Sequence, residues 1–188
     1  MLLSRVLAVL FLLVSSAACA DSINANMSNS TAQFEAGFSS GGNAEIQTGV
    51  FYTDQGSVLL DGGLMVKGGG GEQDAASGMS GGGGIRVVAG QIQQGGVTNY
   101  VECIALGAQG SFTPPAFPLV ALVGEVFNSV KMTSYGDTDH FSEFAVRLEM
   151  GPPHAKFYVG YRETTFYIIG TGAVTLNNGS YMGVVFTF

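Results

Sequence analysis

The chain is 188 residues long, 46% hydrophobic and only 11% charged, with 14 Asp and Glu against seven Lys and Arg. Its net charge of -7 and its lack of a basic cluster exclude nucleic acid as a partner, because neutralising phosphates needs grouped Lys and Arg. After the N-terminal segment no apolar run reaches the roughly 20 residues of a membrane-spanning helix, so the apolar content has to be carried by another kind of element.

Met1–Ala20 carries one cation, Arg5, then the apolar stretch Val6–Val14 and small residues ending Ala17-Ala18-Cys19-Ala20. This is the layout of a secretory signal cleaved after Ala20, leaving residues 21–188 as one domain. A competing reading makes Cys19 the lipidated first residue of an anchored protein. Cleavage after Ala20 leaves a single thiol, Cys103, so the exported domain has no disulfide framework.

From Ser22 the chain alternates apolar and polar residues with the period of two that marks half-buried strands. Ser22–Ser28 sets Ile23, Ala25 and Met27 against Asn24 and Asn26, and Thr31–Phe38 sets Ala32, Phe34, Ala36 and Phe38 against Gln33 and Glu35. Asn29-Ser30 between them is turn chemistry, so the pair reads as a hairpin. A third strand runs from Ala44 to Tyr52, and a fourth places Val58, Leu60, Leu64 and Val66 opposite Ser57, Asp61 and Lys67. Gly68–Gly84 reads as a flexible low-complexity connection, and without a following Lys-Ser or Lys-Thr it is no phosphate cradle.

Ile85–Gln93 and Thr98–Gly110 give the fifth and sixth strands, stopped by Thr113-Pro114-Pro115. Leu119–Asn128 is the seventh. After a polar loop at Lys131–Asp139, the eighth strand alternates Phe144, Val146, Leu148 and Met150 with Glu143, Arg147 and Glu149. The ninth sets Phe157, Val159 and Tyr161 against Lys156, Tyr158, Gly160 and Arg162. A loop across Phe166–Gly179 then leads to a last strand with Met182, Val184, Phe186 and Phe188 on one face. Ten strands alternating in this way predict an all-β fold, a single closed antiparallel transmembrane β-barrel whose last strand pairs with its first; eight strands is the alternative.

These features resemble the YfaZ family of small outer-membrane proteins. The resemblance is carried by Tyr135-Gly136-Asp137, the Glu-x-x-x-Arg-x-Glu strand Glu143–Glu149, Phe157-Tyr158-Val159-Gly160-Tyr161-Arg162 and the terminal Gly183–Phe188, and it is most specific from Leu119 onward. It implies an outer-membrane β-barrel and brings no reaction, substrate or cofactor with it.

The lumen is expected to hold a charge cluster of Glu143, Arg147 and Glu149 on one strand with Lys156, Tyr158 and Arg162 on its hairpin partner. Such a cluster is either a structural ion-pair network filling a narrow barrel or the filter of a narrow channel for a small solute or ion. Glu35, Glu45, Asp61, Glu102 and Glu125 also fall on predicted inward faces, an acidic excess that would favour cations. Cys103, next to Glu102, is expected on the lipid side. Asp137-Thr138-Asp139-His140 has the residue types of a rim hydrolase but lacks a second Asp-His pair, and the other histidine, His154, falls in a Pro-Pro turn at the opposite end. No metal or cofactor set stands out. Tyr181, Phe186 and Phe188 are expected to form the C-terminal signal read by outer-membrane assembly machinery, or else to be girdle residues.

The sequence thus predicts an outer-membrane β-barrel, structural or narrowly porin-like, with membrane lipid and the assembly machinery as partners and no catalytic chemistry. The alternatives are a soluble or lipid-anchored periplasmic barrel that binds a small apolar ligand and, further off, a surface hydrolase.

Overall fold

The computed structural model describes residues 20–40, 43–68 and 78–188. The signal segment, Cys19 and the centre of the Gly68–Gly84 stretch lie outside the described residues. Strands β1 (Ser22–Ser28), β2 (Thr31–Ser39), β3 (Ala44–Thr53), β4 (Val58–Gly68), β5 (Met79–Gln94), β6 (Val97–Phe112) and β7 (Val120–Asn128) are followed by a short 3-10 turn at Lys131–Thr133. Then come β8 (Ser134–Gly136), β9 (Thr138–Met150), β10 (Ala155–Ile168) and β11 (Gly172–Thr187).

Neighbours pair antiparallel around the ring, from β1 through β7 to β9, β10 and β11. The ring closes where β11 pairs with β1, Phe186 opposite Ile23 and Met182 opposite Met27. Phe188 extends this seam, its N–H donating to the Asp21 carbonyl at 2.9 Å. The wall therefore has ten strands and no free edge, the arrangement that satisfies all backbone groups without water. The short β8 is not an eleventh wall strand. It continues the column of β7 along β6, where Cys103 faces Ser134 and Val101 faces Gly136, after the excursion at residues 129–133.

Three loops expected from the sequence are strand instead. The Phe166–Gly179 segment is the tip of the long β10–β11 hairpin, with Ile168 opposite Gly172 and an extra residue, Leu176, at a bulge beside Thr164/Thr165. Lys131–Asp139 contains the 3-10 turn, β8 and the start of β9. The second glycine run, Gly81–Gly84, is wall: it pairs with Met65, Val66, Lys67 and Gly68 on one side and with Gly107–Gly110 on the other. Backbone hydrogen bonds to two neighbours hold a segment that has no side-chain pattern to announce itself.

Glycines on the inner face make room for aromatic rings from the next strand. Tyr181 lies over Gly160, Tyr158 over Gly183 and Phe127 over Gly107, each pair directly opposed in register. An aromatic ring covering a cross-strand glycine restores the contacts the glycine lacks and lets the sheet curve. A side chain at Gly160 would collide with the Val146 carbonyl, Arg147 and the Tyr181 ring. Gly160→Leu is accordingly expected to reduce the yield of folded barrel severely, and the loss is read as disappearance of the fast-migrating form of the unboiled protein on a denaturing gel.

The two faces of the wall are inverted relative to a water-soluble domain. Outward positions carry large apolar side chains, among them Leu60, Leu106, Leu122, Phe144, Leu148, Phe157, Val159 and Met182. Buried polar and charged groups, including Asn26, Gln33, Arg86, Glu143, Glu149 and Arg162, point inward. No described helix is long and apolar enough to cross a membrane.

Candidate functional site: the lumen

Along the barrel axis the lumen has three zones. At the end remote from the termini it is filled by an apolar cluster in which Ile92, Val101 and Phe166 have 0% exposure, packed with Phe51, Phe141, Ile168 and Val174. Phe141 and Phe166 contact each other with ring centroids 4.7 Å apart. These residues sit on the inner faces of the long β5–β6 and β10–β11 hairpins and of β9, which rise past the short β1–β4 side and supply the mass that fills the mouth.

A charged layer lies beneath it. Arg86 on β5 donates to Glu143 on β9 at 2.5 Å and stacks on Phe127 with 4.0 Å to the ring centroid. Thr164 donates a second hydrogen bond to Glu143 at 3.1 Å. Arg162 reaches across to β1 and β2, donating to Asn26 at 3.2 Å and to Gln33, while its guanidinium sits 4.4 Å over the Tyr181 ring. Tyr158 donates to Asn24 at 2.6 Å, and Asn24 and Gln33 in turn donate to Glu35 at 2.6 and 3.0 Å. Arg147 donates to Glu149 at 2.8 Å, and Lys156 completes the pair from 3.1 Å.

The third zone is a vestibule of about 600 Å³ at the end where the termini lie. Its floor includes Glu35, Arg86, Glu125 and Arg147; Asp21, Lys67, Thr113 and Thr187 line it toward the rim, where the Lys67 side chain is 64% exposed. The vestibule exists because the inner wall of β5 and β6 there carries only Ser80, Gly82, Gln109 and Ser111, side chains too short to fill the barrel.

All six cluster residues named from the sequence face the interior, but hairpin pairing explains only the Arg147–Glu149–Lys156 part. Glu143, Tyr158 and Arg162 find partners across the barrel, on β5, β1 and β2. Arg86, the central cation, was missed. Its only sequence signal is its place between the outward Ile85 and Val87. Two parities are corrected. Cys103 faces inward at 1% exposure within the apolar cluster, and Glu102 points outward and is exposed. In β6 Val101, Cys103 and Ala105 alternate with Tyr100, Glu102, Ile104 and Leu106, so the inward face is the smaller and the outward face the more amphipathic, and one charge misleads the assignment. Tyr181 is 3% exposed on the inner face, which makes it a lumen residue and not part of an outer girdle; Phe186 and Phe188 do point outward.

At the remote rim the acidic and imidazole groups of Asp137–His140 are engaged in pairwise contacts. Asp139 bonds His140 Nδ1 at 2.9 Å and pairs with Lys131 at 3.2 Å, His140 stacks on Tyr167 at 3.8 Å, and Asp137 accepts from the Tyr100 N–H at 2.9 Å. These contacts tie the start of β9 to the 3-10 turn, to β6 and to the top of β10. Among the described residues no group of three or more His, Cys, Asp or Glu is placed to hold a metal ion.

Fold and lumen together define a closed ten-stranded antiparallel β-barrel whose interior is packed at one end, ion-paired in the middle and hollow at the end near the termini. No protein-family model matches the chain, and no curated protein matches it, so the resemblance to the YfaZ family has no family match behind it. Among solved structures, the outer membrane channel DcaP of Acinetobacter baumannii is similar at 8% identity and a TM-score of 0.46, over 88% of this chain and 54% of that one. A second similar chain comes from a structure described as "Unveiling the Mechanism Behind the in-meso Crystallization of Membrane Proteins", at 11% identity and a TM-score of 0.43, over 89% of this chain and 81% of that one. The chain spans about half the length of the channel, and its architecture rests on its own strand pairing.

Proposed function

We propose that this chain is an outer-membrane β-barrel whose lumen is shut, a wall-forming or anchoring protein with a vestibule facing the periplasm. The observation that carries this reading is the inverted surface. On β6 the outward Ile104, Leu106, Ala108, Gly110 and Phe112 cover about 27 Å of strand, which at the usual tilt of about 35–45° gives an apolar height of roughly 19–22 Å, close to the roughly 25 Å apolar band of an outer-membrane barrel. Aromatic side chains border it, with Phe112, Phe157, Phe186 and Phe188 toward the termini and Tyr100, Tyr135 and Tyr161 toward the other end. A soluble barrel carrying an apolar ligand would need a polar exterior and an apolar cavity, and this barrel has the opposite of both.

An even strand number puts both ends of the described barrel on one side, the periplasmic side in proteins of this kind. The zone filled at 0% exposure then faces outward from the cell and blocks a continuous water path. In a planar lipid bilayer the inserted protein is expected to remain electrically silent. Discrete conductance steps would overturn the shut-lumen reading and favour a narrow channel with the Arg86–Glu143 layer as its constriction. The likeness to the YfaZ family fits the same reading at the level of family.

The outward Phe186 and Phe188 on the closing strand support their role in an assembly signal. Deleting Phe188 removes its backbone bond to Asp21 and its ring, and is expected to lower the outer-membrane yield several-fold, measured by fractionation and immunoblot. An unchanged yield would remove that role.

A further inference from the structure

We infer that the part of β11 standing above the closed wall is a docking edge for an extended basic polypeptide, which adds to it as a further strand; its placement on the outer side of the cell rests on the reading above. β1 stops at Ser28, opposite Tyr181, whereas the stretch Gly172–Gly179 of β11 is paired on its β10 side alone. The direction of its main-chain groups follows from the seam. Thr187 N–H donates to the His154 carbonyl at 3.1 Å, toward β10, and Phe188 N–H donates to the Asp21 carbonyl at 2.9 Å, toward β1. The β10–β11 register runs without a shift from Phe186 to Asn177, so the N–H and C=O of Asn178 turn to the β1 side, where β1 has already ended. Among the described residues nothing outside β10 hydrogen-bonds to the main chain of Gly172–Gly179.

An edge of this kind is a template for another strand, and proteins that must keep it free blunt it with charge, proline or a bulge. Gly172–Gly179 contains no charged residue and no proline. The bulge at Leu176 is its one such device, and it leaves Asn178 exposed. Tyr161, in the girdle remote from the termini, is opposite Ser180, so the edge stands clear of the apolar band. On the inner face nothing lies within 4 Å of where a side chain at Gly179 would begin, which leaves room for one from an added strand. Charge sets the class of partner. Glu163, opposite Asn178 on β10, is exposed, and so is Asp54, whose N–H donates to Ser30 in the turn where β1 ends. Neither acid has an ion-pair partner among the described residues. Lysine or arginine at alternate positions of an added strand would meet them, while main-chain bonds supply the rest of the affinity. A second copy does not fit. Copies related by an axis along the membrane normal run their β11 strands the same way, so N–H faces N–H and acid faces acid.

The test is fluorescence anisotropy of a labelled decapeptide alternating threonine and lysine, titrated with the folded protein in neutral detergent micelles, so that its outcome is independent of the membrane assignment. Saturable binding is expected. The same peptide N-methylated at alternate residues keeps the charge but cannot pair along an edge, and should bind at least ten-fold more weakly, as should a threonine–glutamate peptide. Asn178→Pro removes an N–H that faces the free side, where proline costs the β10 ladder no bond, and should weaken binding at least ten-fold with the heat-modifiable mobility of the barrel intact. Asn178→Ala, which loses only the side-chain bond from Tyr161, and Glu102→Gln, on β6, should bind as the parent does. Glu163→Gln should weaken binding about two- to five-fold, the worth of one exposed ion pair. No saturable binding to the folded parent, equal binding of the N-methylated peptide, or undiminished binding by folded Asn178→Pro would each overturn the proposal. So would a peptide-independent dimer that Asn178→Pro abolishes, which would give the edge to a second copy.

Discussion

Replacing Arg86 by Met lowers the unfolding free energy by about 3–5 kcal/mol, the usual cost of leaving one partner of a buried ion pair without the other. Both side chains are 7% exposed, so water cannot replace the lost donor to Glu143, and Thr164 alone cannot neutralise the carboxylate. The stacking of the guanidinium on Phe127 is lost as well. The double variant Arg86→Met with Glu143→Gln should recover most of the loss, since it removes the uncompensated charge. Urea unfolding of the refolded protein in vesicles, followed by tyrosine fluorescence, measures both variants. A single-variant loss below about 1 kcal/mol would mean that water reaches Glu143 and that the layer is not dry.

Leu60→Arg is the complementary experiment on the outer face. Leu60 is 61% exposed on the outer face, so a soluble barrel should tolerate the change within about 0.5 kcal/mol. In a bilayer the same substitution places a guanidinium in hydrocarbon at a cost of about 2–4 kcal/mol near the midplane. Met132, 88% exposed in the excursion between β7 and β8, lies toward the rim remote from the termini. Met132→Arg is therefore the control, with little expected effect. Equal stability of the Leu60 and Met132 variants in vesicles would argue against the membrane reading.

These two experiments separate what is local in the sequence from what is not. The period-two pattern of β1–β4 and β9 was legible because each residue's face is set by its own parity along the strand, whatever its partner. Glu143, Arg147, Glu149, Lys156, Tyr158 and Arg162 could be placed inside for that reason. Parity failed in β6, where one exposed acid, Glu102, outweighed the small side chains that fill the lumen side. It was silent in Gly81–Gly84, because glycine has no side chain to alternate.

By itself, then, the sequence determined the all-β class, the ten alternating segments and the inward charges, since these follow from local alternation and from the absence of long apolar runs. The tertiary structure decided which of those charges meet. Arg86 and Glu143 are 57 residues apart, and only ring closure brings them to 2.5 Å. It also decided which end of the lumen is shut, because that depends on the unequal heights of hairpins on opposite sides of the barrel. The vestibule, finally, comes from short inner side chains on β5 and β6 lining the same end of the lumen, an alignment set by long-range register.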